Sequence, residues 1–489
     1  MTQTALVWFR RDLRCHDNPA LVAASAADDL LPVYCFDPRE FGKQEYGGPN
    51  SFSFEKTGGF RTRFITESVA DLRERLHEHG SGLVVREGKP EDILPELAAA
   101  HDADELHLSA VPTSEERAVE SAVTAALADE GVEVQSHWGH TLYHLDDLPT
   151  DARIIDDTFT PFRKAVENES TVRDPRPVPV LPPLPVTAGG AETGGEAMGE
   201  VPTAPCGTEP ATADERGALP FEGGETRALE RLESYLWEGD HLREYKETRN
   251  GLVGSDYSSK FSPWLALGCL SPRYVYDEVK RYEAERVAND STYWLVFELC
   301  WRDFFQFQFV KHEGQHFRRE GIRNRTDIRW LWDDQRFRLW ATGQTGIPFV
   351  DAAMRELNET GYVSNRARQN AASFLANNLR LDWRRGAAYF ETKLVDYDPC
   401  SNYGNWAYIA GVGNDSRDKY FDIVWQANRY DPDAEYVKRW IPALASLPTE
   451  YAHEPWTMPR HLRTEYDLEL GTDYPEPMVR LERTYDHLE

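Results

Sequence analysis

The chain lacks several features that would place it in a familiar class. Its 489 residues contain no run of about 18 apolar residues, which excludes a membrane-spanning helix. The six cysteines are scattered without a CxxC pair, which excludes a disulfide scaffold and argues against a structural zinc site, so we expect no metal. Because Met1–Phe9 has neither a basic segment nor a cleavage site, we expect a cytoplasmic protein that does not bind membranes.

Basic residues, and lysine above all, are also scarce. Lys and Arg number 54 against 83 Asp and Glu, a formal net charge of −29, and only 11 of the 54 are Lys. Such an acidic surface suits a solvent in which charge is heavily screened, and we hypothesise a halophilic source. An ordinary acidic cytosolic protein is the alternative. Taken alone, this charge disfavours nucleic-acid binding, which needs a basic face.

The charge is distributed unevenly along the chain. From Phe297 to Tyr420 there are 18 Lys and Arg against 16 Asp and Glu, a net of +2, so the remainder carries −31. The same stretch contains six of the 14 tryptophans. We therefore expect an anionic partner to bind in this region, where indole rings could stack on flat groups.

The first 140 residues alternate short apolar runs with longer amphipathic stretches. Strands are predicted at Ala5–Phe9, Leu31–Phe36, Leu83–Arg86, Glu105–Ser109 and Val132–Gln135, and helices at Phe60–His79, Glu91–His101 and Glu115–Asp129. This order predicts a doubly wound parallel sheet with helices on both faces. No GxGxxG follows the first strand and no GxxxxGK[ST] occurs, so nicotinamide and P-loop nucleotide sites are not indicated.

A Pro- and Gly-rich stretch divides the chain. From about Asp174 to Glu225, Pro, Gly, Ala and Thr predominate, a composition that predicts an extended or mobile linker. After Leu229 the helical period continues nearly throughout. We therefore expect an α/β domain over 1–140, an interdomain linker over 141–225 and an all-α domain over 226–489.

Two groups of residues on predicted helices could recognise a ligand. Glu298, Trp301 and Arg302 share one helical face, where they could stack on a base and bond to its edge. A buried Trp beside a surface ion pair is the alternative. Asn365 and Arg368 share a face at the start of a helix, which suits an anionic group, although a solvated turn would show the same residues.

Two further groups surround helix starts. Asp396 and Asp398 flank a Tyr and precede Asn402; Arg368 is the natural partner for a buried Asp396, and helix capping is the alternative to acid–base catalysis. Ser258–Ser262 precedes an apolar helix, which predicts hydroxyl capping with amides free to hold a diphosphate. Together the four groups suit a large aromatic cofactor with phosphates, held in a helical domain.

Six motifs follow one another in a recognisable order: Trp8–Leu21, Ser258–Pro272, Glu298–Asp303, Gly343–Leu357, Gly361–Arg368 and Asp382–Gly386. In these motifs the sequence resembles the photolyase/cryptochrome flavoproteins, over essentially its whole length. It is similar to their DASH branch at Leu31–Arg39, Gly411–Asp415, Tyr430–Pro432 and Gln369. The resemblance implies a Rossmann-like antenna domain, a long interdomain loop and an all-α FAD-binding domain.

The resemblance also implies roles for individual residues. The FAD diphosphate region would be lined by Tyr245, Ser258, Ser259, Lys260, Phe261 and Ser262. The flavin would be surrounded by Glu298, Arg302, Asn365, Arg368, Asp396, Asp398 and Asn402, with Asn402 near N5. Electrons would reach the flavin from the surface through Trp330, Trp383 and Trp406. A flipped pyrimidine dimer would meet Glu298, Trp301, Asn365, Gln369 and Tyr408.

Some positions depart from the dimer-repairing pattern. Tyr408 stands where many photolyases have a second Trp against the dimer, and Gln369 replaces a frequent Met. Both are common in the DASH branch and imply single-stranded rather than duplex DNA. Glu116 matches a glutamate that contacts folate in folate-using members. A second antenna chromophore is therefore expected to be methenyltetrahydrofolate or a deazaflavin, and an empty antenna site is the third alternative.

Three functions are compatible with this resemblance. The first is a monomeric, blue-light-driven lyase that repairs cyclobutane pyrimidine dimers in DNA, preferably single-stranded. The second is a blue-light photoreceptor that binds nucleic acid or another partner and signals through the redox state of its flavin. The third is a flavoprotein that only stores or transfers electrons.

Overall fold

The fold is known from a computed structural model that describes residues 3–48, 50–185, 198–414 and 420–484. Parts of the predictions lie outside the described residues: positions 1–2 and 49 of the α/β domain, linker positions 186–197, and positions 415–419 and 485–489 of the all-α domain, which include the last residue of the Gly411–Asp415 motif. No described helix is long and apolar enough to cross a bilayer. The six cysteines are free thiols, and five of them are buried.

The N-terminal region is built on a parallel sheet. Within the described residues the strands are β1 (Thr4–Phe9), β2 (Asp29–Phe36), β3 (Lys43–Tyr46), β4 (Phe52–Glu55), β5 (Val84–Glu87), β6 (Glu105–Ser109) and β7 (Glu133–His137). Five of them form one sheet in the order β5-β2-β1-β6-β7, and every pair in it is parallel. The helices in this region are α1 (Pro19–Ala24), α2 (Gly59–Glu78), α3 (Pro90–Ala100), α4 (Ser114–Asp129) and α5 (Phe159–Glu169).

The burial of the central strand explains this layered arrangement. All six residues of β1 are buried. Alternate side chains point to opposite faces of a strand. Leu6 and Trp8 belong to a core under α3 and α4, whereas Val7 and Phe9 belong to the larger core that continues into the helical region. Because both faces are covered, the strands are nearly continuous apolar runs, and the predicted doubly wound sheet is confirmed.

The C-terminal region is helical, as predicted. Its described α-helices are Glu225–Glu233, Tyr245–Thr248, Ser262–Leu267, Pro272–Glu285, Asp290–His312, Asp334–Ala341, Pro348–Thr360, Asn365–Ser373, Trp383–Lys393, Pro399–Ile409, Ile423–Tyr430, Glu435–Trp440, Thr449–Ala452, Arg460–Glu465 and Leu481–Thr484. Two of them continue into π-helical turns, Ser234–Glu238 and Phe374–Asn378.

The described linker residues on either side of 186–197 lie extended along the two regions. Leu30 N donates to Pro183 O at 2.9 Å, and Ala211 N donates to Gly59 O at 3.0 Å, so the segment bonds to β2 and to α2. Asp214 N donates to Glu359 O at 2.9 Å, in the helical region. The linker therefore connects the two regions by backbone hydrogen bonds as well as by chain continuity. The domain boundaries at 140 and 225 stay a proposal.

A buried ion pair joins the two regions. The guanidinium of Arg273 donates to both carboxylate oxygens of Asp17, at 2.9 and 2.6 Å. Asp17 also accepts from the Ser271 hydroxyl and, at 3.0 Å, from Arg176 N in the linker. Both charged side chains are fully buried. Three segments distant in sequence therefore meet at one carboxylate.

Candidate cofactor and substrate site

Seven of the predicted site residues line one pocket in the helical region: Asn365, Arg368, Gln369, Asp396, Asp398, Asn402 and Trp406. They come from two places in the chain, the helix Asn365–Ser373 and the helix Pro399–Ile409 with the turn that leads into it. The side chain of Ser364 accepts from Ala367 N at 3.2 Å, which fixes the start of the first helix. The fold therefore brings together two groups that the sequence separates by some thirty residues.

The Asp396 carboxylate is the polar centre of this pocket. Its Oδ2 accepts from Arg368 Nη2 at 2.8 Å and from Ser262 Oγ at 2.6 Å. Its Oδ1 is buried and has no hydrogen-bond partner among the described residues. Burial opposes the charge on Arg368, but Asp396 outweighs this effect, and the pKa of Arg368 is raised. An unsatisfied carboxylate oxygen in a pocket favours a ligand that donates a hydrogen bond.

Asp398 and Asn402 lie at the start of the helix Pro399–Ile409, and hydrogen bonds hold both side chains. Asp398 accepts from Ser401 N at 2.6 Å, as its N-terminal cap, and from Gln306 Nε2 at 2.8 Å. Burial opposes its ionisation, but the charge of Arg302 and the bond from Ser401 lower the pKa of Asp398. Asn402 Nδ2 donates to Ala387 O at 3.0 Å. The amide of Asn402 is therefore held in one orientation at the pocket wall.

The segment Ser258–Ser262 forms the approach to Asp396. The structure differs from the predicted cap: the helix begins at Ser262, no side chain caps it, and the Ser262 hydroxyl bonds to Asp396 instead. Arg231 holds the segment by donating to the carbonyl oxygens of Ser258 and Ser259. The segment is thus fixed from two sides.

Lys260 is the unusual residue of this segment. Its backbone has φ +56°, a conformation that L-residues rarely adopt. Its side chain is buried, and Nζ lies 3.1 Å from the centre of the Tyr257 ring with no hydrogen-bond partner among the described residues. Burial, and then the charge of Arg231, lower the pKa of Lys260 to about 6. An anionic ligand beside Nζ would favour the charged form of this amine, so the segment suits an anion.

Glu298 and Trp301 lie one turn apart on the helix Asp290–His312. Arg249 Nη1 donates to Glu298 Oε1. Burial raises the pKa of Glu298 although Arg249 acts to lower it. The Trp301 indole is stacked on Phe159, with ring centres 3.6 Å apart and planes inclined by 12°. Phe159 therefore fixes the plane of the indole and covers one of its faces.

Two further predicted site residues, Arg302 and Tyr245, do not line the Asp396 pocket. Arg302 donates to the carbonyl oxygens of His140 and Leu265, so it joins the two regions and is not among the residues that line the Asp396 pocket. Tyr245 is buried near Glu298, whose charge contributes to raising its pKa after the larger effect of burial.

The three predicted relay tryptophans lie on neighbouring segments. Trp406 lines the pocket, and its ring is so close to Gly386 that a Cβ there would lie 2.2 Å from it. Trp383 begins the helix that contains Gly386, and its Nε1 donates to Arg319 O at 3.1 Å. Trp330 is half-buried and precedes a β-bridge between Leu331 and Leu381. Trp406 thus lies at the pocket, Trp383 is buried and Trp330 is half-buried, and their action as a relay stays a prediction.

A second, larger cavity lies between the two regions. It has a volume of about 860 Å³ and is lined by Glu116 together with residues of β1, β2, the β3–β4 hairpin and the helical region. Its size is typical of a small-molecule site. Burial opposes the charge on Glu116, but Arg11, 3.6 Å away, and the Thr113 hydroxyl lower its pKa. The predicted antenna residue therefore contributes a carboxylate to a cavity separate from the Asp396 pocket.

Comparisons with known proteins agree with this geometry. Residues 5–183 match the family described as DNA photolyase, and residues 294–488 match the FAD binding domain of DNA photolyase. The chain is 56% identical over 487 residues to the cryptochrome DASH of Natronomonas pharaonis, covering 99% of this chain and 100% of that one. The chain belongs to the photolyase/cryptochrome family.

Solved structures extend this family assignment to the fold. The crystal structure of a Synechocystis cryptochrome has a TM-score of 0.92 and 45% identity, and the match covers 100% of this chain and 99% of that one. An archaeal photolyase from Sulfolobus tokodaii, solved with two FAD molecules, has a TM-score of 0.77 and 26% identity, and the match covers 99% of this chain and 98% of that one. The helical region of this family member is an FAD-binding domain.

The residues present fit FAD on two observations. Asp396 Oδ1 and Lys260 Nζ are buried polar atoms without a partner among the described residues. One is a hydrogen-bond acceptor in the pocket with Trp406, and the other is a buried amine on the segment that leads to it. A polar ring system joined to a diphosphate would satisfy both. We therefore assign the Asp396 pocket to the flavin and Ser258–Ser262 to the phosphates as a proposal.

Sequence reasoning missed three features of these sites. Arg249, which holds Glu298, lies 49 residues before it, and Phe159, which holds Trp301, lies 142 residues before it. The β3–β4 hairpin, which walls the larger cavity, was not predicted because Lys43–Tyr46 is polar throughout except for its final Tyr. Only the alternating pattern of Phe52–Glu55 could have indicated a strand here.

Proposed function

We propose that the chain uses blue light and FAD to split cyclobutane pyrimidine dimers in DNA, preferably single-stranded. The observation that carries this proposal is the pairing of a carboxyl group, Glu298, with a fixed indole, Trp301, one turn apart in an FAD-binding domain. A carboxyl group can bond to the edge of a pyrimidine while the indole stacks on its face. A redox-only flavoprotein would need neither residue.

FAD supplies the chemistry: when bound, reduced and excited by light, it donates one electron to the dimer and recovers it after the ring splits. The protein residues bind the dimer, orient it and screen it from water. Trp301 would receive the dimer on the face opposite Phe159, and Arg249 would hold Glu298 towards its edge. Asn365 and Gln369, which line the flavin pocket, would bond to the remaining pyrimidine edge.

The preference for single strands follows from charge and from the cost of base flipping. A dimer leaves an unpaired strand more cheaply than a duplex. The net charge of −29 gives little long-range attraction to duplex phosphates, and concentrated salt would weaken that attraction further. Tyr408, half-buried at the expected dimer position, offers a smaller ring than Trp for stacking. We infer that the acidic surface is an adaptation to high salt.

The three tryptophans would restore the reduced state. Trp406, Trp383 and Trp330 would pass electrons from a thiol or other reductant at the surface towards the pocket. The half-buried Trp330 is the entry point, and the buried Trp383 connects it to Trp406 at the pocket wall. In the larger cavity Glu116 would hold a second chromophore, for which both a folate and a deazaflavin are compatible with the volume.

A blue-light photoreceptor is the second candidate. The relative from Natronomonas pharaonis is named a cryptochrome, and a buried tryptophan relay serves signalling through flavin redox state as well as repair. In that case Glu298 and Trp301 would have no substrate.

Replacement of Trp301 with Ala separates the two candidates. Stacking on an aromatic side chain contributes about 1–3 kcal/mol per base, so binding of a single-stranded dimer should weaken roughly 5- to 150-fold. Repair should fall with it, while FAD content and photoreduction of the flavin stay at wild-type levels. Binding is measured with an oligonucleotide that carries one thymine dimer.

The matched control is Trp456→Ala, because Trp456 is also half-buried but lies in a turn outside both sites. This variant should repair normally. Undiminished repair by the Trp301 variant would remove Trp301 from the substrate site and favour the photoreceptor.

A further inference from the structure

A buried tyrosine lies beside the middle member of the tryptophan relay. The ring centres of Tyr403 and Trp383 are 6.4 Å apart, with planes inclined by 72°. Both side chains are buried, at 1% and 0% exposure. Tyr403 lies on the helix Pro399–Ile409, three residues before Trp406. Two aromatic rings this close exchange electrons readily, so the tyrosine is a potential branch of the relay.

The phenol of Tyr403 has a proton acceptor in place. Tyr403 OH donates to Glu391 Oε2 at 2.8 Å, and Glu391 is itself buried, at 3% exposure. Oxidation of a tyrosine is favourable only when its phenolic proton leaves, because the protonated radical is strongly acidic. A carboxylate already bonded to the hydroxyl provides this exit without any rearrangement.

Among the described residues, the indole N–H of Trp383 has no such strong proton acceptor. Its indole N–H donates to Arg319 O at 3.1 Å, a backbone carbonyl, which is a very weak base. An oxidised Trp383 would therefore keep its proton and remain a radical cation, a stronger oxidant than the neutral radical. Trp383 donates its proton to a weakly basic carbonyl, whereas Tyr403 donates its proton to a carboxylate. This difference favours transfer of an electron from the phenol to the oxidised indole.

We propose that Tyr403 is a further electron donor of the relay, with Glu391 as its proton acceptor. The oxidant would be the Trp383 radical cation, which forms when Trp383 gives one electron to Trp406; bound FAD would supply the light-driven oxidation. One electron passes from the Tyr403 ring to Trp383, and the phenolic proton passes to Glu391. The products are neutral Trp383, a neutral tyrosyl radical and a protonated Glu391. A thiol in solution later returns one electron and one proton.

The surroundings support this direction of proton transfer. Burial raises the pKa of Glu391, although Lys56 and Arg61 act to lower it, so the carboxylate is a better base than an exposed one. Burial, and then Glu391, raise the pKa of Tyr403, so the phenol keeps its proton in the dark. Both residues also line the cavity with Glu116, which gives the proton a route to solvent.

The test uses the FAD-loaded protein, frozen under blue light without a reductant, and electron paramagnetic resonance. We expect a tyrosyl radical signal that narrows when the tyrosine rings are deuterated. Tyr403→Phe and Glu391→Gln should both lose it, and Glu391→Gln should also lose a carboxylic acid band from the light-minus-dark infrared spectrum. Tyr474→Phe is the matched control, because Tyr474 is equally buried and donates to Asp351 Oδ2 at 2.6 Å.

The proposal rests on the tryptophan relay proposed above, and Trp383→Phe tests that relay separately. We expect this variant to lose the tyrosyl radical and to form no radical on Trp383 or Trp330. If it retains the wild-type signal, the relay and the proposal both fail. If it loses the signal but Tyr403→Phe does not, or if the wild type forms only tryptophan radicals, the relay stands and the proposal is wrong.

Discussion

Replacing Arg273 with Met is expected to lower the free energy of unfolding by about 3–5 kcal/mol. The reason is that the Asp17 carboxylate would remain buried at the junction of the two regions, with the Ser271 hydroxyl and the Arg176 amide as its hydrogen-bond donors among the described residues. An isolated carboxylate is costly to keep away from water. The change is measured as the shift in denaturant midpoint of the purified protein, converted with the wild-type slope.

Arg243→Met is the control for this prediction. Arg243 pairs with Asp240 at 3.1 Å, but its side chain is 50% exposed, so the loss should be below about 1 kcal/mol. If the two variants unfold at the same denaturant concentration, the buried ion pair does not hold the regions together. If the Arg273 variant instead unfolds in two separate steps, the two regions no longer unfold together, which is also the result expected when the ion pair between them is lost.

Replacing Arg368 with Met is expected to weaken FAD binding by on the order of a hundredfold. Asp396 would then have Ser262 as its single hydrogen-bond partner among the described residues. Leaving a buried carboxylate without its cation costs about 3 kcal/mol, which corresponds to about a hundredfold in affinity. The measurement is the FAD content after gel filtration, followed by titration of the apoprotein with FAD.

A double variant separates binding from folding. Arg368→Met combined with Asp396→Leu removes both charges, and replacing a buried ion pair by apolar groups is often neutral for stability. We expect the thermal unfolding midpoint of the apoprotein to return to the wild-type value, while FAD binding stays weak. A single variant that retains one FAD per chain with unchanged affinity would show that the pocket around Asp396 is not the flavin site.

The elements that sequence predicted best are those with an unambiguous local signal. The helix Asp290–His312 lies in the stretch predicted to be helical, and the structure shows a capping box at Asn289 and Thr292 that fixes its start. The strands of the main sheet were visible as apolar runs because helices cover both faces of the sheet. The resemblance to the photolyases then placed the pocket residues, which neither period nor propensity could have brought together.

The parts that sequence did not predict depend on distant partners. The Ser262 hydroxyl was expected to cap its helix, but it donates to Asp396, a charged acceptor 134 residues away for which the sequence gives no local signal. Arg302 was predicted at the cofactor, and the structure shows it bonded to backbone carbonyls of two other segments, so its role at the cofactor stays a prediction. Arg249, which holds Glu298, and Phe159, which holds Trp301, belong to no sequence motif. Any cation beside Glu298 or any ring beside Trp301 would give the same contact.

The measurement that tests the account most directly is dimer splitting by the photoreduced protein under blue light. The substrates are oligonucleotides with one thymine dimer, single-stranded and duplex, in low and high KCl, with dark controls. We predict light-dependent restoration in single strands, little in duplex, and activity that persists in high KCl. A protein that holds reduced FAD yet leaves single-stranded dimers intact in both salts would contradict the proposed function.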